Sequence, residues 1–513
     1  LIFSSRFSGG VHVHLSNGDG TFGERTRYTL GGGEPRNLIS TDLNGDGNLD
    51  VVVPNGFGDS ISLLYGKGDG TFAVTKDYPT ANFSSSVAIG DFNGDEKDDL
   101  AIGIPQESKI FILLGNTDGT FQDPFTFPSG RGAQSIITED FNGDNIPDLA
   151  ATLRLSDEIS IYLGNGDGTF SDSTNYSVGD QPWDIKSEDF NNDNIPDIAV
   201  TNAVSDNISI MLGNGDGSFN AVINYATGDG PRRFKIGDFD GNGELDLAIS
   251  MIVDNTVSIL IGNGDGTFKP AMSYNAGQNP RDLTLDDFDG DGILDIAVAN
   301  GTASGEMTVL IGSEDGSFNL DSSYAAGNAP NSITSGDFDL DGIIDIALNY
   351  SNSTVGIYKG KGDGTFDPLI PFTAGRSGTD IIAIDLDGDG DLDLVTPGVS
   401  VFINTKRLVS IEDEELSDVI PLNFTLHQNY PNPFNSSTTI SYELSKTGFV
   451  TLKIYNILGE TVNVLVDSVT PEGVHHVVWN GENTAGFEVG TGIYFLALVA
   501  GNVVQTKKML FLK

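Results

Sequence analysis

Cysteine is absent from all 513 residues, which removes disulfide staples, zinc-thiolate centres and cysteine nucleophiles together. Histidine is nearly as scarce. There are 5, and none falls between residues 15 and 426, so imidazole acid–base chemistry and a Ser-His-Asp triad are excluded over most of the chain. Basic residues are few, 26 Lys and Arg against 73 Asp and Glu, which leaves a formal charge of -47. Nucleic acid, whose phosphates demand Lys and Arg, and anionic membranes are therefore not expected partners. No apolar run is long enough to span a bilayer, and no stretch carries a sustained helical period. The sequence opens at Leu1 without Met and without a basic, apolar leader, so a mature chain whose signal peptide has been removed is expected.

What is abundant is Gly, Asp and Asn in register. An Asp-rich loop opens at Asp42, Asp91, Asp140, Asp189, Asp238, Asp287, Asp337 and Asp385, in steps of 48 to 50 residues. A turn of the form Gly-Asn-Gly-Asp-Gly-Thr-Phe keeps the same step and ends at Phe22, Phe72, Phe121, Phe170, Phe219, Phe268, Phe318 and Phe366. Two motifs locked to one period define a repeat. Between them lie short apolar or alternating runs punctuated by Gly, Asn and Asp, the pattern of strands and tight turns. A period of this length holds four short strands, one propeller blade, and such units close on themselves to protect their edges. The expected fold is all-β: a β-propeller, eight blades favoured and seven possible, over residues 1–405. Residues 11–29 supply a hairpin without a preceding loop, and the last loop is followed by a strand without the turn motif, so the two ends are expected to share a blade. Both ends, however, offer what looks like a third strand.

In the loop opening at Asp287, carboxylates stand at positions 1, 3, 5 and 9 (Asp287, Asp289, Asp291, Asp295), and position 7, Ile293, can offer its backbone carbonyl. Hard oxygen donors at alternate positions, with Gly at positions 4 and 6 to let the backbone wrap, suit calcium; magnesium demands a stiffer octahedron. The same positions are held by Asp42, Asn44, Asp46, Asn48 and Asp50; by Asp91, Asn93, Asp95, Lys97 and Asp99; by Asp140, Asn142, Asp144, Ile146 and Asp148; and by Asp189, Asn191, Asp193, Ile195 and Asp197. The second half continues with Asp238, Asp240, Asn242, Glu244 and Asp246; with Asp337, Asp339, Asp341, Ile343 and Asp345; and with Asp385, Asp387, Asp389, Asp391 and Asp393. An EF-hand is excluded because the twelfth residue from Asp42 is Val53 rather than Glu, and no helix flanks any loop. About eight structural Ca2+ ions are expected. Glu96 and Leu340 stand where Gly or Asn is usual, and the loop at Asp91 is expected to bind most weakly because position 6 calls for a left-handed backbone. The Asp residues of the Asn-Gly-Asp-Gly turns read as turn formers.

After residue 405 the repeats stop. Residues 406–421 form an acidic linker, and residues 422–513 alternate as short strands at 438–444, 451–457, 475–479, 492–498 and 503–510, the size of a small immunoglobulin-like β-sandwich.

The spacing of Asp-Phe-Asn-Gly-Asp-x-x-x-Asp-Leu and Gly-Asp-Gly-Thr-Phe resembles the FG-GAP or VCBS repeats of integrin α-like propellers across residues 11–404. The resemblance implies calcium loops between the first two strands of each blade. The C-terminal region resembles the type A sorting domain of the bacterial type IX secretion system. That likeness rests on Asn429-Tyr-Pro-Asn-Pro-Phe434, Leu452-Lys-Ile-Tyr455, Trp479, Gly492-Ile-Tyr-Phe495 and the terminal Lys507–Lys513 run. It implies passage across the outer membrane of a Gram-negative cell by way of the secretion machinery, to the surface or the medium.

Repeat copies can be compared with one another. Six residues before each opening Asp they diverge: Arg36, Ser85, Gln134, Trp183, Arg232, Arg281, Asn331 and Thr379. This position is expected beside the central channel, on the face opposite the metal loops, with Arg36, Gln134, Trp183, Arg232, Arg281 and Asn331 as candidate ligand-binding residues. Trp183 is singled out because an aromatic face suits a sugar ring or a protein anchor. The expectation is a monomeric, calcium-stabilised adhesion or lectin-like module for an extracellular glycan or protein. A polysaccharide-degrading lyase or hydrolase and a structural surface-layer component are the alternatives. No catalytic residue stands out, because nearly every recurrent Asp belongs to a loop or a turn.

Overall fold

A computed structural model describes residues 10–16, 22–30, 39–55, 59–69, 71–73, 76–80, 84–327, 329–351, 354–373, 380–385, 392–395, 400–403, 424–445, 448–455, 461–483, 489–500 and 503–511. The chain divides into two compact units, Leu1–Leu408 and Val409–Lys513. The expected linker, 406–421, lies outside the described residues.

Among the described residues the first unit contains eight sheets, seven of four strands and one of five. The blade spanning residues 182–226 shows why the sequence builds this unit. Its inner strand is Pro182–Glu188, and the Asp-rich loop leads to Asp197–Asn202, a run with every residue buried. Asn207–Met211 follows, and the outer strand Ile223–Ala226 is largely exposed. A strand covered on both faces by neighbouring blades reads as a continuous apolar run rather than an alternation, which is what Ile-Ala-Val and Ile-Ser-Ile supply.

Closure of the ring differs from a simple four-stranded merger. The C-terminal strands Ile382–Ile384, Asp393–Val395 and Ser400–Ile403 join Gly10–Ser16 and Phe22–Thr29 in one sheet. Residues 12–15 pair in parallel with residues 400–403. Both chain ends do supply a third strand, and the sheet accommodates them side by side as a fifth.

Each pair of successive blades shares one apolar cluster, including the pair that closes the ring, where Leu30 and Tyr28 meet Val51, Val53, Leu64 and Phe72. The turn-motif phenylalanine is the centre of most of these contacts. Phe219 packs edge-on against Phe141 and Tyr176 of the preceding blade at 5.4 and 5.7 Å, and its amide donates to the Tyr176 hydroxyl at 3.0 Å. Phe268 repeats the arrangement with Phe190 and Tyr225, Phe318 with Phe239 and Tyr274, and Phe366 with Phe288 and Tyr324. One Phe thus interlocks two blades through its ring and its backbone.

The second unit is a sandwich of a three-stranded and a four-stranded sheet. The strands anticipated from the alternation are present, with Phe424–Leu426 and Thr461–Thr470 in addition. Its core is Trp479, fully buried among Phe434, Tyr494 and Phe511, with the indole N–H donating to the Glu482 carbonyl at 2.9 Å.

Replacing Phe219 by Ala removes a buried ring from a blade boundary, and urea unfolding of the full chain is expected to show a loss of about 3–5 kcal/mol. A loss below about 1 kcal/mol would mean that the aromatic contacts do not hold the blades together.

Candidate functional site

The Asp-rich loops fold around their own side chains. In the loop at residues 140–148, Asp140 Oδ1 accepts from the amides of Gly143 and Asp144 at 2.8 and 3.1 Å, and its Oδ2 accepts from Asn145 at 2.7 Å. Asn142 Oδ1 accepts from the Asp144 amide at 2.9 Å, and Asp144 Oδ1 from the Ile146 amide at 2.8 Å. The loops opening at Asp42, Asp91, Asp189, Asp238, Asp287 and Asp337 follow the same scheme. Of the eighth loop, Asp387, Asp389 and Asp391 lie outside the described residues.

Positions 4 and 6 adopt the left-handed backbone that the Gly pattern announces: Gly290 and Gly292 have φ of 77° and 87°. Glu96 and Leu340 are forced into the same region, at 62° and 57°. For residues with a Cβ this conformation costs roughly 1–2 kcal/mol.

Position 9 does something the spacing alone did not reveal. Asp50, Asp99, Asp148, Asp197, Asp246, Asp295, Asp345 and Asp393 are buried almost completely. Asp148 accepts the Phe141 amide at 3.0 Å on Oδ2 and the Gly164 amide at 2.7 Å on Oδ1, tying its loop to the segment that follows the third strand, Glu158–Tyr162. Burial pushes seven of these carboxyls up, to about 6 for Asp50, Asp99, Asp148, Asp197 and Asp246 and to about 7 for Asp295 and Asp345; the two amides oppose the rise, and the other loop carboxylates add to it.

In three loops the carboxylate oxygens converge: Asp238, Asp240 and Asp246; Asp287, Asp289 and Asp291; and Asp337, Asp339 and Asp345 each bring theirs within 4.8 Å of one another. Clustered carboxylates with no sulfur and no imidazole among them fit a hard cation. Two of these loops already engage a lysine, Lys269 with Asp240 at 3.8 Å and Lys359 with Asp339 at 3.0 Å. The turn-motif aspartates behave differently. Asp167 Oδ1 accepts both the amide and the hydroxyl of Thr169, at 3.0 and 2.5 Å, which holds its carboxyl below the ordinary value. These are turn formers.

The varied positions gather elsewhere. A cavity of about 510 Å³ is lined by residues of the inner strands of several blades, among them Ser85, Gln134, Trp183 and Arg232. The remaining positions divide: the Arg281 guanidinium hydrogen-bonds the Asn331 side chain, while Arg36 and Thr379 lie outside the described residues. Ser85 is a structural tie, its hydroxyl donating to the Ala133 and Gln134 carbonyls at 3.1 and 3.0 Å.

The residue that follows each varied position matters as much, and it was missed in the sequence. Asp184, Arg233, Asp282 and Asp380 also line the cavity. Arg233 reaches Asp282 of the next blade at 3.5 Å and Asp380 at 3.6 Å, while the Ser332 hydroxyl donates to those same carboxylates at 2.6 and 3.0 Å. Asp282 holds the Arg233 guanidinium firmly protonated. Successive residues of a regular strand face opposite ways, but the inner strands are bulged here, between Pro182 and Ile185 and between Pro231 and Phe234, so both can turn toward the cavity. The signal lay in the copies: charge varies five residues before the opening Asp as well as six.

Trp183 is not an open platform. The guanidinium carbons of Arg154 and Arg232 lie 4.7 and 4.5 Å from its ring centroid. Arg154 comes from the turn after a second strand, a position the repeat comparison did not sample.

A model of the FG-GAP-like repeat matches the chain eight times, over residues 1–53, 42–102, 91–151, 140–200, 189–249, 238–298, 287–348 and 337–396. A second model, the FlgD Ig-like domain, matches residues 432–503. No curated protein matches the chain. Among solved structures, Chaetomium thermophilum Sqt1 bound to the N-terminus of ribosomal protein L10 is 11% identical with a TM-score of 0.50, covering 76% of this chain and 98% of that one. A putative 6-phosphogluconolactonase from Bacteroides uniformis is 14% identical with a TM-score of 0.45, covering 67% and 97%. The V. cholerae biofilm matrix protein Bap1 is 14% identical with a TM-score of 0.36, covering 76% and 84%. At these identities the likeness is one of fold.

Two outcomes test the loops. Leu340→Gly relieves a left-handed leucine and is expected to raise stability by about 0.5–1 kcal/mol in urea unfolding, net of the added chain entropy; a destabilised variant would show that the leucine side chain matters more than its backbone. In the unfolded chain an aspartate titrates near 3.8, whereas the position-9 carboxyls titrate at about 6 to 7 when folded. The ion-free fold therefore binds protons more tightly than the unfolded chain, and its stability falls as pH rises from about 4 to 7. In chelator the chain is expected to melt higher at pH 5 than at pH 7.5, with added divalent cation narrowing the gap; equal melting at both would refute the assignment.

Proposed function

This chain belongs to the FG-GAP-like repeat family, and from that premise we propose that it is a calcium-stabilised binding module working outside the cell. The observation that carries the reading is the contrast within the repeats. Loops, turns and blade contacts recur copy after copy, while the cavity at the ring centre is lined by residues that differ from blade to blade, Gln134, Trp183, Arg232 and Arg233 among them. A scaffold held constant around a varied, polar concavity is suited to recognition.

Calcium is the ion that best fits the loops. Its preference for six to eight oxygens at flexible geometry matches a wrapped loop of Asp and Asn, and it would be held by positions 1, 3 and 5, the position-7 carbonyl and position 9. Bound there, it neutralises carboxylates that repel one another and displaces the proton otherwise favoured at position 9. The ions are structural, since sites repeated so evenly single out no reacting centre. The recurrent aspartates are absorbed by loops and turns, which favours binding over polysaccharide cleavage; a surface-layer component would need no varied cavity. The ligand is a glycan or an extracellular protein, and residues 422–513 are read as a sorting domain for type IX export, on the Asn429–Phe434 and Lys507–Lys513 segments.

Chelation is expected to lower the melting temperature of the propeller unit by more than about 10 °C, since several ions bound only by the fold each stabilise it; an unchanged melt would rule calcium out. A glycan array in millimolar calcium, repeated with chelator, should give calcium-dependent binding that Trp183→Ala and Arg232→Ala reduce without lowering the melt. Cleavage of a polysaccharide with no binding to any glycan or surface protein would favour the enzyme instead. Deleting residues 422–513 should leave the protein inside a cell that has type IX secretion, and normal export of the truncated chain would overturn the sorting role.

A further inference from the structure

We propose that the arginines around Trp183 form an oxyanion site, which takes a carboxylate or sulfate group on the ligand of the central cavity. The inference rests on the binding-module reading and names the chemistry of that module's ligand.

The chain carries 26 basic residues against 73 acidic ones, yet Arg154 and Arg232 converge on one indole, that of Trp183; Arg232 and Trp183 line the cavity, and Arg281 is near enough to repel Arg232. Arg154 and Arg232 both place their guanidinium carbons over the Trp183 ring. None of the three forms an ion pair with a carboxylate among the described residues, whereas neighbouring Arg233 is engaged by Asp282 and Asp380. Arg281 is turned instead to the neutral Asn331 side chain, and Arg154 Nη2 donates to Gln181 Oε1 at 2.9 Å. Arg154 Nε is buried and has no hydrogen-bond partner among the described residues. The Arg232 side chain donates no hydrogen bond among the described residues either, and its pKa is lowered to about 10 by burial and by the charges of Arg233, Arg281 and Arg154, with Asp282 opposing.

Like charges gathered at a half-buried position repel, and an arriving anion supplies the counter-charge the protein withholds. A guanidinium held over an indole spends no N–H on that contact, so its fork remains able to meet a carboxylate or sulfate through paired hydrogen bonds. Trp183 is then the post that aims two arginines, rather than a surface for a sugar to lie on. The surroundings limit the ligand's size. A cavity of about 510 Å³ is suited to a small molecule or the end of a chain, and Gln134, Ser135 and Thr334 in its wall offer neutral hydrogen-bonding groups. Of the wall's carboxylates, Asp282 and Asp380 are engaged by Arg233 and Asp184 accepts the Phe234 amide at 3.4 Å, while Lys186 and Lys235 add positive charge.

The test uses the full chain in millimolar calcium. Tryptophan fluorescence reports the site, because the other tryptophan, Trp479, is fully buried in the C-terminal unit. Trigalacturonate, its methyl ester, a sulfated trisaccharide and inorganic sulfate are titrated separately, with calorimetry to confirm each affinity. The acidic probes are expected to shift the fluorescence, and the methyl ester to bind at least about tenfold more weakly, since an unpaired buried charge pair partner costs a factor of that order or more. Binding of the acidic sugars but not of sulfate ion assigns the anion to a glycan; binding of sulfate alone assigns it to a free small anion, and both support the oxyanion site. Arg232→Gln and Arg154→Gln should each lose about tenfold or more, Arg232→Lys less, and Lys109→Gln nothing. Equal binding of acid and methyl ester overturns the oxyanion site and leaves the binding module standing; that comparison needs no variant, so a misfolded substitution cannot obscure it. Binding of only neutral glycans has the same meaning. Failure of every glycan and protein probe, charged or neutral, removes the binding-module reading itself.

Discussion

A single buried carboxylate is repeated through the ring, and the local order of each blade depends on it. Asp148 and its counterparts open the second strand, almost fully shielded from water, and in seven blades each divides its two oxygens between an amide of its own loop and an amide at the end of the third strand. Removing such a group would leave two buried amides unsatisfied. Keeping it ionised is equally demanding, because burial and the neighbouring loop aspartates both favour the protonated form. A cation in the loop resolves that conflict, and the acidic composition, the loop geometry and the need for an ion are thus one constraint seen at three scales.

From the loop the constraint passes to the neighbour. The amide of Gly217 donates to the carbonyl of Phe141 in the preceding blade's loop at 3.0 Å, and Gly168 and Gly266 do the same with Phe92 and Phe190. The Phe that ends each turn then seats against that blade's aromatic residues. Ion loop, turn and aromatic contact therefore act in series around the ring, so that ordering one loop supports the blade beyond it. The cost of so many carboxylates is a strongly negative molecule, and it makes the arginines at the cavity more informative than they would be on a neutral protein.

Much of the fold was legible because its determinants are local. Period, strand-and-turn pattern and the left-handed positions at Gly290 and Gly292 depend on residues near one another in sequence, and even the two exceptions, Glu96 and Leu340, were identifiable from the repeat. The site was legible only in part. The copies pointed to Trp183 and Arg232, but not to Arg154, which enters from a turn of the previous blade, nor to Asp282 and Asp380, which meet through Arg233. The two-way use of position 9 was hidden too, since a spacing that fits a cation equally fits a carboxylate accepting amides.

The sequence by itself determined the repeat, the eight acidic loops and the turns, because each is encoded within one period of the chain. Tertiary structure decided how the ends share a five-stranded sheet, through a parallel pairing of residues about 390 positions apart that no local propensity dictates. It also decided the character of the cavity. Inner-strand bulges turn consecutive side chains inward, and closure of the ring brings blades that are remote in sequence to one axis, where the Trp183 ring meets arginines from both neighbouring blades.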